Sequence, residues 1–188
     1  MKITFILSQY KRISGGNRAL FEYVNRLKKM GHSVRLFVVA KPLKWYRIDH
    51  WPRIFNKKVT VLAPETIDWV DNKIPIELLS VNHESLIPDS DILLATAWQT
   101  ADFSVSLPES KGKKFYFVQH HESLWTRDKG KAKKTYYMPF RKMVISTWLK
   151  DILKEQYQQE AGVFVTPVNQ DSFYKEDKNE DAASRVCM

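Results

Sequence analysis

With 188 residues, 44% of them hydrophobic and 13% aromatic, the chain is long enough to bury a proper core in one domain and falls outside the disordered class. Its single cysteine, Cys187, excludes a disulfide framework and a cysteine-based zinc site, and no run approaches the ~18 apolar residues of a membrane-spanning helix. Thirty Lys and Arg against 21 Asp and Glu leave a net charge of +9, which favours anionic partners (phosphate-bearing small molecules, anionic lipid or nucleic acid) and equally serves solubility.

The apolar run Ile3 to Leu7 predicts a first strand. A lysine before an apolar run is also how signal peptides begin, but the small-residue cleavage site is missing and the run reads better as a strand, so a reducing, cytoplasmic setting is the expectation. A polar turn with Gly15 and Gly16 follows. Leu20, Tyr23, Val24, Leu27 and Met30 then recur at spacings of three and four, an amphipathic helix over about 16–30 that Gly31 closes. Strand, glycine turn and helix make the first half of a βαβ unit. Val34 to Ala40 is a near-continuous apolar strand, of the kind buried on both faces in a parallel sheet.

Residues 41–58 are basic and aromatic, with Trp45, Tyr46, Trp51 and Phe55. Val59 to Leu62 reads as a short strand, and 63–90, broken by Pro64, Pro75 and Pro88, as irregular. Asp91 to Thr96 is a further buried strand, Trp98 to about Leu107 a helix, and Phe115 to Val118 a strand that runs towards His120-His121-Glu122. A lysine- and tyrosine-rich loop is expected over 123–140. Met143 to Ser146 is then a strand, Trp148 to about Gln159 a helix with Thr147 as its N-cap, and Val163 to Thr166 a last strand. This alternation predicts an α/β, Rossmann-like fold: a mainly parallel sheet with helices on both faces. Residues 1–174 are expected to form that domain, 175–184 a polar linker, and 185–188 the start of the first strand of a further domain.

In such a sheet, ligands bind where strand ends meet helix starts. The turn Ser14-Gly15-Gly16-Asn17-Arg18 lacks the G-x-G-x-x-G spacing, and Ala40-Lys41 stands where a dinucleotide site has an acid; the P-loop pattern is absent too. What remains is a helix N-terminus suited to a phosphate or a sugar hydroxyl, or a tight turn that needs glycine sterically. Adjacent histidines point in different directions and are poor joint ligands, so His120 and His121 imply no metal. A histidine that hydrogen-bonds or exchanges protons with a ligand fits better, with a plain surface histidine as the alternative. Trp98-Gln99-Thr100 and Ser146-Thr147 open helices on the same rim, where capping explains part of their polarity. Lys129, Lys131, Lys133 and Lys134, with Trp45 and Trp51 of the earlier segment, suit an anionic membrane surface or single-stranded nucleic acid; a solvated loop is the plainer alternative.

Taken in order, the GG turn, the helix ending in G-H-S-V, then D-I-L-L-A-T-A-W-Q-T-A, Y-F-V-Q-H-H-E and V-I-S-T-W-L-K-D-I-L resemble retaining glycosyltransferases of family 4. More narrowly, they are similar to the rhamnosyl- and glucosyltransferase-like members of polysaccharide pathways. The resemblance spans about residues 1–174, including the closing V-T-P-V-N-Q-D-S-F-Y. It implies a GT-B fold, in which two Rossmann-like domains face each other across a cleft, the N-terminal one taking the acceptor and the C-terminal one the nucleotide sugar. Gly15 and Gly16 would then lie against donor phosphates or acceptor. Asn17, Arg18, Trp98, Gln99, Thr100, His121, Glu122, Ser146 and Thr147 would line the same cleft. His120 would match the family histidine that contacts the donor sugar near the reacting carbon, with the doubled histidine leaving the register open between His120 and His121.

The implied function is transfer of a sugar from a nucleoside-diphosphate sugar to a glycan or lipid-linked acceptor. It calls for no metal or other cofactor and no nucleic acid, and it places the protein in the cytoplasm or on the inner face of the cell membrane. Without a C-terminal donor domain the chain alone is expected to be inactive. The alternative class is a non-catalytic Rossmann-like module that binds an anionic ligand or nucleic acid.

Overall fold

Alternation along the first strand, β1 (Lys2–Leu7), sorts the interior into two layers. Ile3, Phe5 and Leu7 belong to one core cluster, and Ile6, between them, belongs to the other side of the sheet. The structure is a computed structural model that describes residues 1–41 and 56–166. Trp45 and Trp51, the expected linker 175–184 and the expected strand start 185–188 lie outside the described residues.

Over the first layer lies α1 (Gly15–Lys29), capped by Ser14, whose Oγ accepts the Asn17 N–H at 3.2 Å. Arg26, Lys28 and Lys29 sit in its last turn, beside the negative end of the helix dipole, and Gly31 leaves the helix at φ 86°. The buried stripe is Leu20, Phe21 and Val24, with Phe21 edge-on to Trp69. Met30, expected on that stripe, is 71% exposed. It has already passed into the C-cap.

The other strands are β2 (Ser33–Val38), β3 (Val59–Leu62), β4 (Ile76–Leu79), β5 (Ile92–Ala95), β6 (Lys113–Val118), β7 (Arg141–Val144) and β8 (Ala161–Val163). They form one sheet in the order β3-β4-β2-β1-β5-β6-β7-β8, parallel throughout except for the antiparallel β3–β4 pair. Helices α2 (Trp98–Val105), α3 (Lys129–Tyr136) and α4 (Thr147–Tyr157) cover the second layer. There Ala95, Tyr116, Val118 and Val144 of the strands meet Ala101, Tyr136, Leu149, Leu153 and Tyr157 of the helices. The α/β, Rossmann-like class read from the sequence is the observed one.

Four expectations change. The stretch 63–90 is not wholly irregular, because β4 pairs with β2. Its Glu77 enters the sheet carrying a charge, and the Arg35 guanidinium answers it in a bidentate pair across the two strands. The stretch 123–140 is not wholly loop, because α3 forms on only three buried residues, Ala132, Thr135 and Tyr136. The N-cap of α4 is Ser146, whose Oγ accepts the Leu149 N–H at 3.2 Å, and Thr147 is the first helical residue. Strands β7 and β8 begin two residues before their expected starts. Among the described residues no helix is long and apolar enough to cross a membrane.

Candidate functional site

From β1 the chain moves outward through β2 to the edge strand β3, turns back into β4 between them, and then places β5 on the other side of β1. The strand order therefore reverses between β1 and β5, and the crevice above their C-terminal ends is the place where such sheets bind ligands. Thr96 ties the two strand ends together, its Oγ1 donating to the Ile6 carbonyl at 2.9 Å.

Three segments converge there. The start of α1 leans over to the end of β6, so closely that a Cβ on Gly16 would lie 2.9 Å from the Gln119 side-chain oxygen. Gly15 has open space where a Cβ would stand, so of the two glycines only Gly16 answers a steric demand. Asn17 braces the turn by donating its side-chain amide to the Arg12 carbonyl at 2.8 Å. Ser14 takes only the Asn17 N–H with its side chain, and the first-turn amides are donors that a helix offers to outside partners.

Helix α2 starts at an alanine, Ala97, that has no side chain to cap it. Two residues compensate. Thr100 Oγ1 accepts from the N–H groups of Thr96 at 2.9 Å and Ala97 at 3.0 Å, and the Trp98 backbone N–H lies near enough to the Glu122 carboxylate to favour its charged form. Glu122 is only 4% exposed. Tyr116 donates its hydroxyl to Oε2, and the Glu122 backbone N–H donates to the Tyr136 hydroxyl at 2.9 Å. Burial pushes the Glu122 carboxyl up to about 7, against the opposing pull of the Tyr116 and Trp98 hydrogen bonds. The same burial, followed by the nearby Glu122 charge, raises both tyrosines, Tyr116 and Tyr136.

The two histidines part company. His121 is buried, its Nε2 within 3.0 Å of both the Tyr157 and the Ser123 hydroxyls. Burial, and then the Lys133 charge, lowers its pKa. His120 is open to solvent on the rim, and partial desolvation followed by the neighbouring His121 holds it below the ordinary imidazole value.

Of the residues expected to line a cleft, Gly15, Gly16, Asn17, Arg18, Trp98, Gln99, His120, Ser146 and Thr147 all stand at strand-to-helix junctions on this edge and keep some exposure. Thr100, His121 and Glu122 do not face the cleft. They are turned inward, where their polar atoms hold the junctions together. Gln119, against Gly16, was not singled out from the sequence; the sole hint was its place just before His120 at the end of an apolar strand. Lys129, Lys131, Lys133 and Lys134 lie exposed on α3. Among the described residues no three His, Cys, Asp or Glu side chains come together as a metal site.

Neither the family models nor the curated proteins contain a match to this sequence. The fold, by contrast, is similar to that of a solved structure, the catalytic domain of starch synthase IV from Arabidopsis thaliana bound to ADP and acarbose. The TM-score is 0.51 and the identity 12%, over 91% of this chain and 52% of that one. The chain thus spans about half the length of the structure it resembles, and at this identity the likeness concerns the fold alone. That fold is an α/β, Rossmann-like unit consistent with one half of the GT-B architecture.

Proposed function

We propose that this chain is the acceptor-side domain of a retaining glycosyltransferase of the family 4 kind. It would help move a sugar from a nucleoside-diphosphate sugar to a glycan or lipid-linked acceptor in cell-surface polysaccharide biosynthesis. The observation that carries the reading is the convergence at the β1/β5 crevice. Two helix N-termini, the Gly16–Gln119 contact and the solvent-facing His120 meet above adjacent parallel strand ends. The fold is similar to a catalytic domain bound to ADP and acarbose.

The residues present do the work of holding and orienting. A helix N-terminus favours an anion. A neutral imidazole both donates and accepts, and the lowered pKa of His120 keeps it neutral at physiological pH. Groups so arranged position a sugar hydroxyl and stabilise charge that develops at the reacting carbon. The remaining donor contacts would come from a second domain facing this rim. A lipid-linked acceptor would hold the enzyme at the inner face of the membrane.

The test is turnover by the full-length polypeptide with a panel of nucleotide sugars. His120→Ala should lower kcat roughly 10²-fold with a smaller change in KM, and the His120 ring should titrate below about 6.5 by NMR. A folded full-length protein that neither transfers nor hydrolyses any donor in the panel would sink the proposal.

A further inference from the structure

We propose that α3, the turn before it and the first turn of α4 form a docking surface for an anionic lipid bilayer. On α3 only Ala132, Thr135 and Tyr136 are buried, while Lys129, Lys131, Lys133 and Lys134 all face water. The turn Glu122–Leu124 that precedes it ends in two large apolar side chains left outside: Leu124 is 58% exposed and Trp125 80%. Trp148, near the start of α4, is 56% exposed. Leu124, Lys129, Lys133 and Trp148 line one groove of about 640 Å³ between α3 and α4, so these two apolar and two cationic groups share a face. Single exposed apolar residues are ordinary, but a cluster of them set among lysines is an interaction surface.

The chemistry fits a bilayer. Tryptophan settles at headgroup depth, where one end of the ring system is dry and the other wet. An aliphatic side chain beside it gains by entering the acyl boundary, and each nearby lysine is attracted to anionic headgroups. A nucleic acid would fit less well. The α4 wall of the same groove carries Asp151 and Glu155, and a phosphate backbone laid along the groove would run against both carboxylates. A flat bilayer meets the lip instead, where Leu124, Trp148, Lys129 and Lys133 stand exposed. Leucine also adds nothing to base stacking.

The inference deepens the proposed function, since a lipid-linked acceptor must be met at a membrane, but its readout is binding alone. The chain should co-float with phosphatidylcholine vesicles containing phosphatidylglycerol and not with phosphatidylcholine alone, and added salt should weaken the binding. Brominated lipid should quench tryptophan fluorescence of the unmodified chain. Leu124→Ala with Trp125→Ala, and separately Lys129→Glu with Lys133→Glu, should each lower partitioning roughly tenfold without shifting the melting curve, since all four side chains are exposed. Three results would overturn the proposal: no flotation with anionic vesicles, flotation indifferent to both double variants, or salt-sensitive oligonucleotide binding in place of vesicle binding. Transfer to a soluble acceptor without vesicle binding would refute this surface alone; vesicle binding without transfer would refute the enzymatic reading alone.

Discussion

Glu122→Gln isolates what a buried acid costs this fold. The Glu122 carboxyl is held at about 7 against an ordinary value of 4.5, so the folded chain keeps a proton that the unfolded chain releases across that window. The contribution of this group to stability is therefore greatest below pH 4.5, falls as the pH rises, and levels off once the pH passes the folded value. At 1.36 kcal/mol per unit, the whole drop is about 3 kcal/mol. Glutamine keeps an oxygen for the Trp98 N–H and can turn its amide towards the Tyr116 hydroxyl, and it has no proton to lose. The variant should lose this part of the slope between pH 5 and 7. At pH 8 it should be more stable than the parent chain by up to about 3 kcal/mol, less whatever the charged hydrogen bonds contributed. Urea denaturation of both chains at pH 5, 6, 7 and 8 reads this directly. Parallel stability curves for the two chains would refute the reasoning, because they would mean that the carboxyl is ionised and well solvated throughout.

Two glycine substitutions should separate a backbone demand from a side-chain one. Gly112 sits at φ 106°, and a Cβ there would lie 2.8 Å from the backbone of Asp91 and Ile92. Gly112→Ala should therefore cost about 2 kcal/mol or more in chemical denaturation, and a loss under about 0.5 kcal/mol would contradict that. At Gly16 the obstacle is the end of a flexible side chain, and the position is helical. Gly16→Ala should leave stability within about 1 kcal/mol but displace Gln119 and weaken ligand binding at the rim. Gln119→Ala added to it should restore binding. A Gly16→Ala loss as large as that at Gly112 would show the contact to be rigid.

The layers of the fold were legible because β1, β2 and β5 are apolar runs and α1 and α4 carry clear helical stripes. The two missed elements lack such signals. Strand β4 is four residues long with a charged residue at its centre, and only the tertiary partner Arg35 makes that charge tolerable. Helix α3 is half lysine, and its formation depends on where Tyr136 and Ala132 are buried, which no local spacing reveals. The candidate site was legible as a set of strand ends, since parallel pairing alone brings those ends to one edge. The direction each side chain takes was not. His120 and His121 are neighbours of identical type, and what separates them is the presence of Tyr157 and Ser123 beside one ring. Likewise Glu122, expected to line the cleft, is seen to be a buried acid only once Trp98, Tyr116 and Tyr136 are found around it.

The closeness of Gly16 and Gln119 also constrains how this protein can vary. The two positions are far apart in the chain but share a single small volume above β5, so neither can enlarge unless the other gives way. In relatives of this chain the pair should drift together: a side chain at 16 should come with a shortened one at 119, and a bulkier 119 should keep glycine at 16. The width of the crevice would then be inherited as a joint property of two residues on separate elements.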